Sequence, residues 1–120
     1  MKPRFTGLPF FIYPVTDMAR ARAFYGGVLG LAETLNREDK YVEFAVGAGT
    51  IALSAVLDGC APGTSGAVVL ETRDFEGVIT HLQQQGVVFL FGPADLGSCH
   101  FARILDSEGN HLGVHRTAPG

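Results

Sequence analysis

The chain has 120 residues, of which 47% are hydrophobic and only 18% charged, with a formal net charge of -3. This length predicts a single domain, and the lack of a basic cluster argues against nucleic acid as a partner. The apolar run near the N-terminus is short and interrupted by prolines, so we expect no signal peptide, no membrane span and a cytoplasmic protein. Cys60 and Cys99 are expected to be free thiols in a reducing compartment, and a disulfide is the alternative.

The first part of the chain predicts a strand followed by a helix. Residues 8–15 form a short run of aromatic and β-branched residues, which is typical of a buried strand. Asp17 can cap a helix that runs to about 28, where glycine residues favour a helix end. Apolar side chains recur at helical spacing and should form the buried face of this helix: Met18, Ala21, Tyr25 and Val28.

The remaining sequence completes this unit and then repeats it. Strands are predicted at about 41–46 and 50–57, with a less certain strand at 32–36, and a linker-like segment spans about 58–66. The second unit has strands at 67–72, 87–91, 99–105 and 110–115 and a helix whose buried face is Phe75, Val78, Ile79 and Leu82. Neither unit can close a core alone, so we predict one domain over 1–120 with repeats at about 8–57 and 67–116.

Two stretches of the sequence resemble a known family. Residues 17–31 read DMARARAFYGGVLGL, and residues 101–115 read FARILDSEGNHLGVH. In this order they are similar to the two motifs of the vicinal oxygen chelate superfamily, which contains the glyoxalase, bleomycin-resistance and extradiol dioxygenase proteins. The resemblance covers nearly the whole chain. It implies an α+β fold in which two tandem βαβββ units form an open, cup-shaped mixed β-sheet with the helices packed outside, and it implies a homodimer.

The resemblance also implies four metal-ligand positions inside the cup, and none of them carries a donor atom here. The first-strand ligand lies seven residues before the aspartate that opens each helix, which corresponds to Phe10 and Ala67. The last-strand ligand, usually a glutamate three residues after a Gly-Asn pair, corresponds to Gly113, and its counterpart in the first unit is Ala52. These side chains cannot bind a divalent cation, so we expect no metal and no cofactor there.

The histidines do not replace that site. His111 and His115 share a strand face with Gly113, but they lie about 13 Å apart along an extended strand, too far for two ligands of one zinc. We expect His111 near the cup floor, as a hydrogen-bond donor or general base, and His115 nearer the rim or an interface. The alternative for both is a solvated strand histidine. His100 should face the helices, and His81 should lie on the surface.

Strand alternation predicts which residues line the cup. A few polar groups among apolar walls are typical of a small-molecule site. Glu71 and Arg103 could form an ion pair across the cup, or act separately as a base and an anion clamp; an unpaired carboxylate on apolar walls would have a raised pKa. The predicted ligand-binding residues are Phe10, Ile12, Ala52, Ser54, Ala67, Val69, Glu71, Phe101, Arg103, His111, Gly113 and His115.

The sequence therefore favours a homodimer that binds or sequesters a small, partly apolar molecule without a metal. The first alternative is a lyase, isomerase or dioxygenase of the same superfamily. Such an enzyme would use a metal site elsewhere or metal-free acid–base chemistry through the catalytic candidates Glu71 and His111. The second alternative is an interaction module that binds no ligand.

Overall fold

The computed structural model describes residues 2–119, which contain eight strands and two α-helices in the predicted order. The first unit comprises β1 (Phe11–Pro14), α1 (Met18–Arg22), a π-helical segment (Ala23–Val28), β2 (Ala32–Arg37), β3 (Tyr41–Val46) and β4 (Gly49–Ser54). The second unit comprises β5 (Val68–Glu71), α2 (Phe75–Gln84), β6 (Phe89–Asp95), β7 (Cys99–Leu105) and β8 (His111–Thr117). The α+β class and the two tandem βαβββ units are confirmed, and the less certain strand is present as β2.

The strands form two mixed sheets of four strands each. Their orders are β1-β4-β3-β2 and β5-β8-β7-β6, so the repeat in the sequence is a repeat of topology. In each sheet the first strand pairs in parallel with the fourth, and the other neighbours pair antiparallel. Neither sheet closes on itself, and each keeps one face free of helices, which we call its open face.

The helices cover the opposite face of the sheets and form the core with it. Asp17 caps α1 by accepting from the N–H of Arg20, and Asp74 caps α2 by accepting from the N–H of Gly77. The predicted helix faces are confirmed, although Val28 and Val78 are only partly buried. The fully or nearly fully buried members are Met18, Ala21, Tyr25, Phe75, Ile79 and Leu82.

The end of the first helix differs from the prediction. Instead of continuing as an α-helix to Val28, the chain forms a π turn in which the N–H of Leu29 donates to the carbonyl of Phe24, 2.9 Å away. The wider turn allows the adjacent side chains Phe24 and Tyr25 both to enter the core. Phe24 was not among the residues predicted for the buried face of this helix.

The turn Asp106–Asn110 fastens the second unit to the first. Asp106 is buried and accepts from the hydroxyl of Tyr25 at 2.7 Å and from the side-chain amide of Asn110 at 3.0 Å. Asn110 is fully buried and also donates to the carbonyl of Pro14 at 2.9 Å. Gly109 has a positive φ of 86°, a conformation that glycine adopts readily in a tight turn.

Glu108, in the same turn, holds the start of the first helix. Its side chain is buried, and its Oε1 accepts from the backbone N–H groups of Thr16 and Asp17, both at 2.9 Å. Its Oε2 accepts from Nε of Arg20 at 2.7 Å. Burial raises the pKa of Glu108, but the guanidinium of Arg20 and the two backbone N–H groups outweigh burial and lower that pKa to about 2. The carboxylate therefore links the two units as an anion.

Tyr13 makes a second link between the sheets. Its hydroxyl donates to the carbonyl of His111 at 2.6 Å and accepts from the N–H of Val68 at 2.8 Å. Burial raises the pKa of Tyr13 to about 12, so the hydroxyl stays protonated as the donor.

Cys60 and Cys99 are free thiols. Within residues 2–119, no helix has the length and apolarity that crossing a membrane requires.

Candidate functional site

The open face of the first sheet is built from the alternate residues of β1 and β4. Ile51 and Leu53 enter the core, so Ala52 and Ser54 point to the open face, and Ile12 lies beside Ala52 in the parallel register. Ala52 and Ser54 are nevertheless buried, because they are short and lie between larger neighbours on the adjacent strands. Ala52 and Ser54 therefore offer little contact area to a ligand on this face.

A tyrosine–glutamate pair on this face was missed by the sequence analysis. Glu43 lies directly across from Ala52 on β3, and the hydroxyl of Tyr41 donates to its Oε2 at 2.6 Å. Burial and the neighbouring Glu43 carboxylate raise the pKa of Tyr41 to about 12. The alternation of β3, in which Val42 and Phe44 enter the core, is the signal that would have identified the pair.

Most of the predicted ligand-binding residues lie on the open face of the second sheet. In the strand registers, Val69 and Arg103 flank Gly113, and Glu71 and Phe101 flank His115. His111 lies two residues before Gly113 on the same face and is partly buried. The two first-strand positions, Phe10 and Ala67, precede their strands and are exposed.

Glu71 does not pair with Arg103, so the suggested ion pair is corrected. Its Oε1 lies 2.6 Å from Nδ1 of His115, and its Oε2 accepts from the N–H of Thr117 at 2.8 Å. The backbone N–H of Thr117 and the His115 side chain lower the pKa of Glu71 below its ordinary value. A carboxylate with a lowered pKa is a weak general base, which places any acid–base role on the paired histidine rather than on Glu71 itself.

Gly113 has no room for the side chain that the family metal site requires. A Cβ at this position would lie 3.0 Å from the Phe101 ring and 3.0 Å from a methyl group of Val69. Both contacts are tighter than ordinary van der Waals distance, so even alanine would displace a neighbour. The space of the usual glutamate is therefore occupied by apolar side chains, and the residues present do not fit a metal.

No other metal-binding cluster replaces it among residues 2–119, where no three His, Cys, Asp or Glu side chains lie close enough together to hold an ion. His100 faces the helix side as predicted, with its ring 5.5 Å from that of Phe75. His81 is exposed as predicted, and its Nε2 lies 2.8 Å from the carbonyl of Val28. Two of the four histidines are thus engaged in packing between elements on the helix side.

A shallow cleft of about 330 Å³ lies at the junction of β1 and β5. Phe10 and Phe11 line it from the first unit, and Val68 and Val69 line it from the second. The cleft brings together Phe10 and Val69, which sequence alternation assigned to one site. Its walls come from both units.

The fold, the motif positions and the two open faces define the class of protein. The sequence model of the Glyoxalase/Bleomycin resistance protein/Dioxygenase superfamily matches residues 7–114. The chain belongs to this superfamily. No relative among curated proteins has significant sequence similarity to it.

Solved structures show the same fold. The chain is similar to TnmS3, an antibiotic binding protein from a Streptomyces species, with a TM-score of 0.86, 21% identity and coverage of 98% of this chain and 100% of that one. It is also similar to a glyoxalase/bleomycin resistance protein from the same source (TM-score 0.76, 24% identity, coverage 88% and 96%). A glyoxalase/dioxygenase from Nostoc punctiforme matches with a TM-score of 0.78, 16% identity and coverage of 99% of each chain.

Proposed function

We propose that this protein binds and sequesters a small, partly apolar molecule on its open faces, as a homodimer in the cytoplasm and without the metal of its superfamily. The observation that carries the proposal is the filled space over Gly113, where Phe101 and Val69 occupy the place of a ligand side chain. Phe10, Ala52 and Ala67 lack donor atoms at the other three positions.

The exposed apolar side chains of the open faces support a bound ligand and a second copy. Phe10 is 46% exposed, Val69 51% and Phe91 44% in the single chain. Large apolar side chains that share one face and remain in contact with water mark a binding surface rather than a core. A second copy that covers these faces would turn each open face into the wall of an enclosed site.

Sequestration is consistent with the comparisons. TnmS3, a protein of the same fold, is an antibiotic binding protein, so this fold is compatible with a binding role. For the present chain this likeness supports the proposal only through the fold, because the sequence identity is 21%. The antibiotic class itself is therefore not carried over, and the proposed ligand is a small molecule with apolar area.

The test combines native mass spectrometry with elemental analysis of protein purified without a chelator or a metal-affinity tag. We expect the mass of a dimer. We also expect either a co-purifying small molecule or an increase in mass when members of a small-molecule library are added. The metal content should be less than about 0.1 equivalents of Zn, Ni, Mn or Fe per chain. A stoichiometric divalent ion that survives dialysis would contradict the metal-free proposal. Failure of every library member to bind would contradict ligand binding.

A second candidate function is metal-free acid–base catalysis, which the Glu71–His115 pair favours. The carboxylate bonds to Nδ1 of the ring, and this orients the ring and leaves Nε2 free to exchange a proton with a bound molecule. The test is to incubate each bound molecule with the protein and to follow its conversion by mass. Catalysis would be supported if His115→Gln and Glu71→Gln both lose conversion while keeping their affinity for the molecule. The control His81→Gln should keep both conversion and affinity. Recovery of every ligand unchanged would exclude it.

A further inference from the structure

We infer that the second open face selects a planar aromatic molecule that carries an anionic oxygen, with Phe91 and Phe101 as its stacking surface and Arg103 as its anion contact. This inference rests on the proposed ligand-binding function and specifies the chemical class of the ligand. It depends on three observations on one face: an aromatic pair of which Phe91 is exposed and Phe101 partly buried, a glycine beneath it and an arginine with no acidic partner.

The aromatic pair forms an exposed surface on the second sheet. The ring centroids of Phe91 and Phe101 lie 6.1 Å apart with an angle of 45° between the planes, a distance typical of interacting rings. Phe101 approaches the backbone of Gly113 closely, since a Cβ there would lie 3.0 Å from its ring. Any larger residue at Gly113 would displace this ring, so the glycine determines the position of the stacking surface.

One cation on this face has no acidic partner. Arg103 lies in register with both Gly113 and Phe91, and its side chain is exposed. Within residues 2–119 no carboxylate lies at ion-pair distance from it. By contrast, Arg116 on the opposite face of the same sheet pairs with Glu76 at 2.7 Å. A guanidinium left unpaired beside an aromatic surface matches an anionic oxygen attached to a ring.

The nearest acid on the face does not compete for Arg103. Both oxygens of Glu71 are engaged, one by His115 and the other by the N–H of Thr117. The carboxylate therefore makes no ion pair with Arg103, and the guanidinium remains available to an anion. Electrostatics thus favour the acid over its neutral counterpart, and the rings favour an aromatic over a saturated molecule of equal size.

The experiment measures binding of 2-naphthoate by amide chemical shifts of the full-length protein. Two matched probes separate the contributions: 2-naphthamide lacks the charge, and decahydro-2-naphthoate lacks the aromatic ring. We expect 2-naphthoate to bind roughly tenfold more tightly than the amide, because a charged hydrogen bond is lost. We expect it to bind roughly threefold or more tightly than the saturated acid, because stacking is lost. The shifted amides should lie in β7 and β8.

Two variants assign these preferences to residues. Phe91→Leu keeps an apolar side chain and should reduce the preference for the aromatic acid over the saturated acid to near one. Arg103→Gln should remove the preference for the acid over the amide. The matched controls are Phe5→Leu, at a highly exposed position outside the sheet, and Arg73→Gln, at an exposed position after β5; both should leave the two preferences unchanged.

Several results would overturn the inference while leaving the proposed function standing. These are equal affinity for the three probes, shifts confined to the helix side, or no naphthoate binding by a protein that binds other library molecules. A dimer that dissociates on Phe91→Leu would also overturn it, since the aromatic pair would then be a subunit contact. The proposed function fails separately, through a tightly held metal or through the absence of any ligand.

Discussion

The turn Asp106–Asn110 and the open face of the second sheet adjoin in sequence, and their side chains have opposite surroundings. In the turn, Asp106 and Asn110 are buried; they bond to each other and, through Tyr25 and Pro14, to the first unit. On the open face, Arg103 and Phe91 are exposed, and Arg103 has no acidic partner among residues 2–119. The turn that resembles a family motif therefore serves assembly of the fold, whereas the proposed binding surface lies on the flanking strands. Substitutions in the two regions should have different consequences.

The largest effect on stability is expected in the turn. Asp106→Ala leaves the buried Tyr25 hydroxyl without its acceptor, and it removes one of the two hydrogen bonds that the buried Asn110 amide donates. We expect a loss of about 3 kcal/mol or more in the free energy of unfolding. Urea unfolding followed by circular dichroism measures it. The exposed Asp58→Ala is the control and should change stability by less than about 0.5 kcal/mol; an equal effect of both variants would refute the role of the turn.

The next largest effect on the free energy of unfolding is expected at Glu108, and it depends on pH. Its folded-state pKa of about 2 lies below the ordinary value of 4.5, so the stability that it contributes is present above pH 4.5 and is lost as the pH falls towards 2. We expect Glu108→Gln to cost on the order of 1–2 kcal/mol at pH 6, allowing for the solvent exposure of Arg20. The difference from the wild type should shrink between pH 4.5 and pH 2 in unfolding titrations. A difference that is constant with pH would contradict the assigned carboxylate contacts.

On the open face, a metal-ligand side chain should not restore a metal site. Gly113→Glu is expected to cost about 1–3 kcal/mol, because the new side chain displaces Phe101 and Val69. Zinc binding by calorimetry should remain undetectable. The control Gly66→Glu, at an exposed position with open space around it, should be nearly neutral. Adding Phe101→Ala to Gly113→Glu should recover part of the loss if crowding is its cause.

The smallest effect on stability is expected at Phe91. Because its side chain is 44% exposed, Phe91→Leu should change the free energy of unfolding by less than about 0.5–1 kcal/mol. The matched change in the core, Phe44→Leu, should cost about 1–2 kcal/mol. Thermal unfolding of the two variants side by side measures the contrast. Comparable losses would show that Phe91 supports the fold instead of a ligand.

Particular residues show which features of the structure the sequence predicts. The helix cap at Asp17 and the helix-side position of His100 were both predicted correctly, since each depends on local geometry or strand alternation. The partner of Glu71 was not predicted correctly. Alternation places Glu71, Arg103 and His115 on one face without giving the distances between them, and only the register of β5 against β8 brings Glu71 to His115.

Capping, hydrophobic periodicity and turn chemistry are properties of short segments, so the sequence alone determined the two βαβββ units and the absence of donor atoms at the four family positions. Contacts between residues far apart in the chain depend on how the sheets and helices pack. Only the tertiary structure therefore decided that Phe101 and Val69 occupy the space over Gly113, that Asn110 is buried against Pro14, and that Arg103 lies beside two phenylalanine rings. These long-range contacts place apolar side chains over Gly113, where the family has a metal-ligand side chain.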